Sequence, residues 1–224
     1  MPAKGATPAI ELAGVSRSYG SLAVLEDVSL RVEAGEVVAV VGPSGCGKST
    51  LLDLVCGLQA PAAGRVRADP AVLMPQRDAL LPWLSAIDNA ALALRLKGAS
   101  RDEARAAAHP LFVRFGLEGF ERYRPGELSG GMRQRVAFLR TLLAGKPVLC
   151  LDEPFAALDA LTRRELRGWL RDALAVEPRT VLLVTHDVDE AEALASRIVV
   201  LSPRPGRVVG EVSGAGAALE ALGA

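Results

Sequence analysis

The sequence is short of aromatic residues, cysteine and net charge. Phe, Trp and Tyr make up only 4% of its 224 residues, and 26 basic residues balance 26 acidic ones. Because a neutral chain has no long-range field for a polyanion, we expect no nucleic-acid partner. Its three cysteines, Cys46, Cys56 and Cys150, show no CxxC or disulfide-framework spacing. That pattern favours a reducing cytosol.

Long apolar runs are also missing. The longest, such as Val37–Val41, are about five residues, whereas a membrane-spanning helix needs about 20. Residues 1–8 lack the apolar region of a secretory signal. Half of the residues are nevertheless apolar, which excludes a disordered or collagen-like chain. We therefore expect a folded cytosolic protein with room for one domain.

Strand and helix patterns alternate along much of the chain. Val37–Val41 is apolar at every position, which is typical of a central strand covered on both faces. Similar strand patterns occur at 147–151, 181–184 and 198–201, and helical spacing at 133–144 and 160–176. The alternation predicts an α/β fold with a parallel sheet at its core.

Two regions depart from this alternation. Residues 77–145 have helical spacing and no convincing strand, so they predict an inserted helical subdomain. Residues 27–33 and 64–68 indicate antiparallel strands beside the core. The expected organisation is one domain with a loose tail, namely 10–212 (core about 10–76 and 146–212) and 213–224.

A phosphate-binding motif follows the first central strand. Gly42–Thr50 matches the pattern GxxxxGK(S/T) between a buried strand and an apolar helix. Glycines let backbone N–H groups approach a phosphate closely, and the helix N-terminus adds partial positive charge. Lys48 would reach the β- and γ-phosphates, and Ser49 would offer its hydroxyl to Mg²⁺. The predicted binding residues are Gly42, Pro43, Ser44, Gly45, Cys46, Gly47, Lys48, Ser49 and Thr50.

A second strand ends in two acids. Val148–Leu151 leads directly into Asp152 and Glu153, at the carboxyl edge where parallel sheets bind ligands. Asp152 would hold Mg²⁺ through water. Glu153 is placed to take a proton from an attacking water molecule, so we predict it to be catalytic.

A second anion cradle is predicted much further along the chain. Ser129, Gly130 and Gly131, in the sequence Leu-Ser-Gly-Gly-Met, precede a helix and leave its first N–H groups accessible. One ATP does not need two complete cradles from one chain. A head-to-tail dimer, in which each cradle closes on the nucleotide of the other copy, is the economical arrangement.

These motifs, in this order, resemble the ATP-binding subunits of ABC transporters, whose signature reads LSGGQ or LSGGM. The resemblance covers about residues 10–210. It implies a P-loop NTPase (RecA-like) parallel-sheet core with an antiparallel β edge and an inserted helical subdomain. It also implies ATP and Mg²⁺ as cofactors, ATP hydrolysis coupled to transport, and a second copy or a homologous ATPase subunit as partner.

The resemblance assigns roles to four further residues. Tyr19 stacks on adenine, and Gln76 senses the γ-phosphate and the metal, which makes it both catalytic and metal-binding. Asp159 belongs to the segment 157–159 at the dimer interface and is counted with the nucleotide-binding residues. His186 is the switch histidine. His186 follows the apolar strand at 181–184, where its ring could donate a hydrogen bond to the γ-phosphate.

An apolar segment, Leu81-Pro82-Trp83-Leu84, predicts where a membrane permease subunit docks. The plainer alternative is a hydrophobic anchor for the helical subdomain. Together with 156–163 and 201–206, this segment looks like the nitrate, sulfonate and taurine branch of importers. Importers of thiamin-precursor pyrimidines are similar. This branch implies an extracytoplasmic solute-binding protein and a peripheral place on the cytoplasmic face of the membrane.

Two other functions remain open from the sequence. A non-transport ABC-type ATPase in DNA repair or translation would carry a long coiled-coil insertion or two cassettes, and neither is found in this sequence. A small-molecule P-loop kinase would have no use for the second cradle at Ser129. Phosphate release without a phosphorylated product would separate the kinase from an ATPase.

Overall fold

The computed structural model describes residues 7–156, 158–176 and 178–212, so the expected tail at 213–224 lies outside the described residues. The strands are β1 (Ile10–Tyr19), β2 (Leu22–Val32), β3 (Val37–Val41), β4 (Ala63–Ala68), β5 (Ala71–Met74), β6 (Val148–Asp152), β7 (Thr180–Val184), β8 (Arg197–Leu201) and β9 (Val208–Val212). The helices are α1 (Lys48–Val55), α2 (Ala86–Ala90), α3 (Leu92–Leu96), α4 (Arg101–Arg114), α5 (Gly130–Leu143), α6 (Ala160–Val176) and α7 (Val188–Leu194), with a 3₁₀ turn at Pro125–Glu127. None of the helices in the described ranges combines the length and apolar composition needed to cross a bilayer.

A six-stranded sheet with the order β5-β6-β7-β3-β8-β9 carries the expected parallel core. Strand β3 is parallel to β7 and β8, and β6 is parallel to β7. Both β6 and β7 are buried along their whole length, which explains why the central strands are apolar at every position. The edge strands β5 and β9 were not anticipated from the sequence. Strand β9 runs antiparallel to β8.

A separate antiparallel sheet has the order β2-β1-β4. Its first two strands, of 10 and 11 residues, are longer than the short strands expected from the sequence. Apolar side chains of β1 and β2, including Leu12 and Leu25, join α1 and the parallel sheet in one buried cluster. The antiparallel strands therefore pack directly against the helix that follows the phosphate motif.

The described chain forms two compact units. The first takes the residues up to Leu73, Pro147–Glu153 and those from Trp169 onward, and the second takes Met74–Lys146 and Pro154–Gly168. The second unit contains helices α2 to α5. Its core includes Phe138, whose ring lies 5.7 Å from that of Phe115 and 6.0 Å from that of Phe155. Residues 154–168 thus pack with the helical unit through Phe155.

A buried carboxylate joins two helices of the second unit. Asp88 on α2 is 9% exposed and accepts hydrogen bonds from Arg105 Nε at 2.8 Å, Arg101 Nη2 at 2.7 Å and Ser85 Oγ at 2.8 Å. Burial by itself raises the pKa of Asp88, but the hydrogen bonds from Arg105, Arg101 and Ser85 outweigh it and hold the pKa well below its usual range. The charged form of Asp88 therefore stabilises the contact between α2 and α4.

Replacing this carboxylate should weaken the fold in a pH-dependent way. Asp88→Asn should lower the free energy of unfolding at pH 7 by about 1.5–3 kcal/mol, because hydrogen bonds to a charged group are lost. The pKa of Asp88 is lower in the folded protein than in the unfolded chain, where it is about 4, so the ionised carboxylate stabilises the fold above about pH 4. This contribution is lost as the pH falls through the pKa that Asp88 has in the folded protein. The difference between the two proteins should therefore shrink below about pH 4. Urea denaturation measured across this pH range tests the expectation.

Asp102→Asn is the matched control, since Asp102 lies exposed in the first turn of α4. Its effect on stability should stay small at every pH. A difference for Asp88→Asn that does not change with pH, or one no larger than that of the control, would contradict the role given to Asp88.

Candidate functional site

The predicted phosphate motif forms the loop between β3 and α1. Residues 42–47 make the loop, and residues 48–50 make the first turn of α1. The Leu51 N–H donates to Gly47 O at 2.9 Å, so helical hydrogen bonding begins where the loop ends. No acidic residue occupies the first turn of α1. The first N–H groups of a helix lack partners within the helix, so this N-terminus suits a phosphate.

Gly47 can only be a glycine. Its φ angle is 111°, in the left-handed region. A Cβ atom here would lie 2.6 Å from Leu25 Cδ2 and 3.0 Å from Val24 O of strand β2. The antiparallel sheet therefore presses directly on the end of the loop, and the missing side chain lets the backbone curve into α1.

Lys48 is 7% exposed, and its ammonium group lies inside the curve of the loop. Lys48 Nζ donates to Gly42 O at 2.7 Å and to Pro43 O at 3.0 Å. The charge is thus held where the loop can offer it to a phosphate. Burial raises the pKa of the neighbouring Cys46 thiol, although the Lys48 charge opposes this. Cys46 therefore contributes its backbone and its packing to the loop rather than a thiolate.

Two oxygen groups of the predicted metal site lie together. The Ser49 side chain, in the first turn of α1, lies beside the carboxylate of Asp152 at the end of β6. Asp152 is 7% exposed. Burial raises its pKa, and the neighbouring Ser49 hydroxyl and the charge of Lys48 oppose the rise. A hydroxyl and a carboxylate are the hard oxygen donors that Mg²⁺ prefers.

Glu153 and His186 form a pair at the same edge of the sheet. His186 Nδ1 lies 3.0 Å from Glu153 Oε1. The Glu153 side chain is 16% exposed and the His186 side chain 62% exposed. An ionised carboxylate can only accept, so with Glu153 ionised the Nδ1–H of His186 is the donor. The imidazole therefore orients the carboxylate predicted to act as a base.

The backbone of Glu153 is strained. Its φ angle is 47°, a conformation that costs a side-chain-bearing residue about 1–2 kcal/mol. The Glu153 N–H donates to Val184 O at 2.8 Å, which fixes the turn at the end of β6. Such strain persists only where the surroundings over-determine the conformation, and it clusters at active sites.

A hydrogen-bond network that the sequence did not lead us to expect holds the residues on either side of His186. Thr185 Oγ1 donates to Glu190 Oε2 at 2.9 Å and accepts from the Asp187 N–H at 3.0 Å. Asp187 in turn caps α7 by accepting from the Glu190 N–H at 3.0 Å. The three-residue spacing from Asp187 to Glu190 is typical of a helix start. This spacing is the feature of the sequence from which the cap of α7 could have been predicted.

Gly206 supports the phosphate loop and was also missed as a structural element of the site. A Cβ atom on Gly206 would overlap the carbonyl of Cys46. The Gly206 N–H donates to Val24 O at 2.8 Å, and Gly206 O accepts from the Glu26 N–H at 3.0 Å. The turn-forming residues at 203–206 indicated a tight loop, but only the fold shows that this loop rests on Cys46.

Tyr19, predicted to stack on adenine, ends strand β1 in the first unit. Its side chain is one of the few large apolar groups at the surface, with 44% exposed. The neighbouring strand β2, which pairs with it at Leu22, carries the residues that press on Gly47. An exposed aromatic ring in this position can offer a face to a base.

The predicted second cradle caps helix α5 in the second unit. Ser129 Oγ accepts from the Met132 N–H at 3.2 Å, and Gly130 begins the helix. Ser129 and Gly130 are exposed, and Gly131 is half-buried. Arg133 Nη1 donates to Leu128 O at 2.8 Å, which holds the preceding segment. The glycines leave the first turn of α5 accessible, and its role as an anion cradle stays a prediction.

The other two predicted site residues also lie in the second unit. Gln76 is exposed and follows strand β5. Asp159 Oδ1 accepts from the N–H groups of Leu161 at 3.1 Å and Thr162 at 3.0 Å, at the start of α6. Hydrogen bonds from Thr162 lower the pKa of Asp159. Ala157, in the same predicted segment, lies outside the described residues.

Comparison with known proteins supports the resemblance. The profile of the ABC transporter family matches residues 25–156. The taurine import ATP-binding protein TauB of Burkholderia pseudomallei is 48% identical over 199 residues, covering 85% of this chain and 76% of that protein. The formylaminopyrimidine import ATP-binding protein ThiZ of Halalkalibacterium halodurans is 45% identical, with 85% and 78% covered.

Solved structures give the same result for the fold. The dimeric structure of MJ0796, a bacterial ABC transporter cassette, matches with a TM-score of 0.85 and 31% identity, covering 91% of this chain and 98% of that one. A post-hydrolysis dimer of the same cassette, bound to ADP and phosphate, matches with a TM-score of 0.83. The predicted P-loop NTPase fold class is confirmed, and the chain belongs to the ABC transporter family.

Proposed function

We propose that this chain is the ATPase subunit of a membrane importer and couples the hydrolysis of Mg-ATP to the uptake of a small solute such as nitrate, a sulfonate or taurine. The observation that carries the proposal is the group of side chains at the carboxyl edge of the parallel sheet. Lys48 lies in the phosphate loop, Ser49 contacts Asp152, and Glu153 contacts His186.

The phosphate loop would hold the triphosphate of ATP. Backbone N–H groups at the start of α1 and the ammonium of Lys48 supply hydrogen bonds and positive charge. On binding, the ammonium of Lys48 would exchange its two carbonyl acceptors, Gly42 O and Pro43 O, for phosphate oxygens. These oxygens carry formal charge and are the stronger acceptors.

Ser49 and Asp152 would hold a Mg²⁺ ion, Asp152 through water, because a hydroxyl and a carboxylate suit this ion. When bound, the ion would neutralise charge on the phosphates of ATP. Asp152 would be ionised when it serves the metal, because a nearby cation offsets the burial that raises its pKa.

Glu153 would act as the general base. Its carboxylate takes a proton from a water molecule while the water oxygen forms a bond to the γ-phosphorus. The bond between that phosphorus and the oxygen bridging to the β-phosphate breaks, which leaves ADP and phosphate. His186 holds the carboxylate through Nδ1, and in its imidazolium form the ring would also donate from Nε2 to a phosphate oxygen.

The second cradle implies that two copies bind ATP between them. Ser129, Gly130 and Gly131 form an accessible helix N-terminus without a phosphate loop of its own. In a head-to-tail dimer each cradle would contact the γ-phosphate held by the other copy. The MJ0796 cassettes are described as dimers, one of them bound to ADP and phosphate, which supports a dimer for this chain. Hydrolysis would then remove the charge that holds the two copies together.

A cavity beside Trp83 would receive the membrane permease. The cavity has a volume of about 760 Å³ and lies within the second unit, lined by apolar groups of Trp83, Leu84 and Ile87 and by several arginines. Trp83 is 68% exposed, which is more than the hydrophobic-anchor alternative predicts. A short cytoplasmic helix of a permease, laid on Trp83, would pass movement of the ATPase to the transport path.

The solute and the remaining partners follow from the relatives. Proteins named for taurine import reach 48% identity with this chain, so taurine or a similar small anion is the proposed solute. A formylaminopyrimidine is the alternative, since ThiZ reaches 45%. An importer of this kind would also use an extracytoplasmic binding protein and would place this subunit at the cytoplasmic face of the membrane.

The role of Glu153 predicts separate effects on binding and hydrolysis. Glu153→Gln should bind ATP but hydrolyse it about 10²–10⁴-fold more slowly, because the amide cannot accept the proton. ATP that is not hydrolysed should then accumulate in the dimer. Phosphate release and light scattering, with and without Mg-ATP, measure the two effects. Unchanged turnover would remove Glu153 from the role of base.

A second substitution serves as the control for the dimer. Ser129→Arg in the Glu153→Gln background adds bulk and charge to the second cradle, far along the chain from the phosphate loop. It should abolish the ATP-induced dimer and leave nucleotide binding by the monomer intact. An ATP-induced dimer that persists would contradict the shared site.

The docking proposal predicts an effect of Trp83 on assembly alone. Trp83→Ala should reduce co-purification with co-expressed permease subunits at least about tenfold, as expected for a buried aromatic anchor, while ATP binding stays intact. Leu96→Ala is the control, because Leu96 is 80% exposed and does not line the cavity. Normal recovery of the permease with Trp83→Ala would refute docking at this cavity.

A further inference from the structure

A chain of side-chain contacts connects Tyr19 to the helix that follows the phosphate loop. The Tyr19 hydroxyl donates to Gln59 Oε1 at 2.7 Å. The amide of Gln59 in turn donates through Nε2 to Asp53 Oδ2 at 2.9 Å. Asp53 lies on α1. The exposed ring at the end of β1 is therefore joined, through two hydrogen bonds, to the helix whose N-terminus faces the phosphates.

The direction of the Gln59–Asp53 hydrogen bond determines the direction of the Tyr19–Gln59 hydrogen bond. A carboxylate at Asp53 can only accept, so the Gln59 amide must turn its NH₂ group toward Asp53 and its oxygen toward Tyr19. The Tyr19 hydroxyl is then the donor in its own bond. A flipped Gln59 would turn its oxygen toward the Asp53 carboxylate and lose that contact, and this fixes where the acceptor for Tyr19 lies.

Arg17 holds the same ring from one side. Its guanidinium carbon lies 5.1 Å from the centre of the Tyr19 ring, and its Nη1 donates to Ala60 O at 2.9 Å. Arg17 is thus anchored next to Gln59 in the chain while it covers one face of the ring. The opposite face is the one left for another planar group.

These contacts would matter for affinity because an exposed ring is otherwise free to rotate. Ordering a side chain on binding lowers affinity, and a ring that is already ordered avoids most of this loss. For one side chain the difference corresponds to about a two- to tenfold change in Kd. The hydrogen bond fixes the tip of the ring, and Arg17 fixes its tilt.

We propose that Arg17, Gln59 and Asp53 are positioning residues that hold Tyr19 ready to stack on the base of ATP. The proposal rests on the proposed ATP-dependent function and adds the residues that prepare the site for the base. Because Asp53 belongs to α1, the contacts also fix the base platform relative to the phosphate loop. Within the described residues, no hydrogen bond joins the side chains of Arg17, Gln59 or Asp53 to Lys48, Ser49 or Asp152.

Two ligands distinguish an effect on binding of the base from an effect on binding of the phosphates. Mg-ATP has both parts, whereas inorganic tripolyphosphate has only the phosphates. Titration calorimetry should show that Gln59→Leu, Tyr19→Phe and Arg17→Ala each raise the Kd for ATP about two- to tenfold. The Kd for tripolyphosphate should change less than about twofold, within the scatter expected of distant surface changes. Arg65→Ala, an exposed arginine on β4 of the same sheet, is the matched control.

A double substitution tests whether Gln59 acts through the tyrosine hydroxyl. In the Tyr19→Phe background, Gln59→Leu should have no further effect on ATP affinity, because the hydrogen bond is already gone. Additive losses would overturn the proposal. Equal losses for ATP and tripolyphosphate would also overturn it, since they indicate damage to the fold.

Tyr19→Ala distinguishes this proposal from the function on which it rests. If Tyr19→Ala weakens ATP binding while Gln59→Leu and Arg17→Ala bind ATP normally, the positioning role is wrong and the base platform stands. If the wild-type chain binds ATP no better than tripolyphosphate, the base platform itself is wrong, and the positioning role with it.

Discussion

The register of the parallel strands is the constraint on which the site depends. Asp152 at the end of β6 pairs with Val184 at the end of β7, and Val184 pairs with Val40 near the end of β3. Three strands therefore finish at one level. The residues that follow them, Lys48 after the loop, Glu153 and His186, are brought to the same edge. A slip of one residue would turn every side chain of a strand to the opposite face and separate these groups.

Much of this core could be predicted because its chemistry is local. Strand β3 was recognised residue for residue, since a strand buried on both faces is apolar throughout. The loop between β3 and α1 could be placed because its glycines and Lys48 are close together in the sequence. The acids at the end of β6 could be placed because they directly follow its apolar residues.

Features that depend on contacts between distant segments could not be predicted. Strand β5 is short, and β9 is interrupted by Gly210, so neither shows a clear period. Gly206 looked like an ordinary turn residue until the fold placed it against Cys46. Nothing in the sequence around Asp88 indicates that its carboxylate is buried and bound by two arginines. In each case the partner is far away in the sequence, and a pattern within a short window carries no sign of it.

The proposed function assigns complementary tasks to the two units. The first contains the phosphate loop, the metal pair and the Glu153–His186 pair, and the second contains the Ser129 cradle and the cavity beside Trp83. In the proposed dimer ATP becomes part of the interface, so its hydrolysis changes the contact between copies. The cavity beside Trp83 lies in the same unit as Ser129, so a permease docked there, as proposed, would respond to this change.

The most direct test of this account is a crystal structure of the chain with Mg²⁺ and a non-hydrolysable ATP analogue. The account predicts two copies related head to tail, with the γ-phosphate on Lys48 of one copy and within hydrogen-bond distance of Ser129 of the other. A triphosphate enclosed entirely by one copy, with Ser129 of every copy facing solvent, would contradict it.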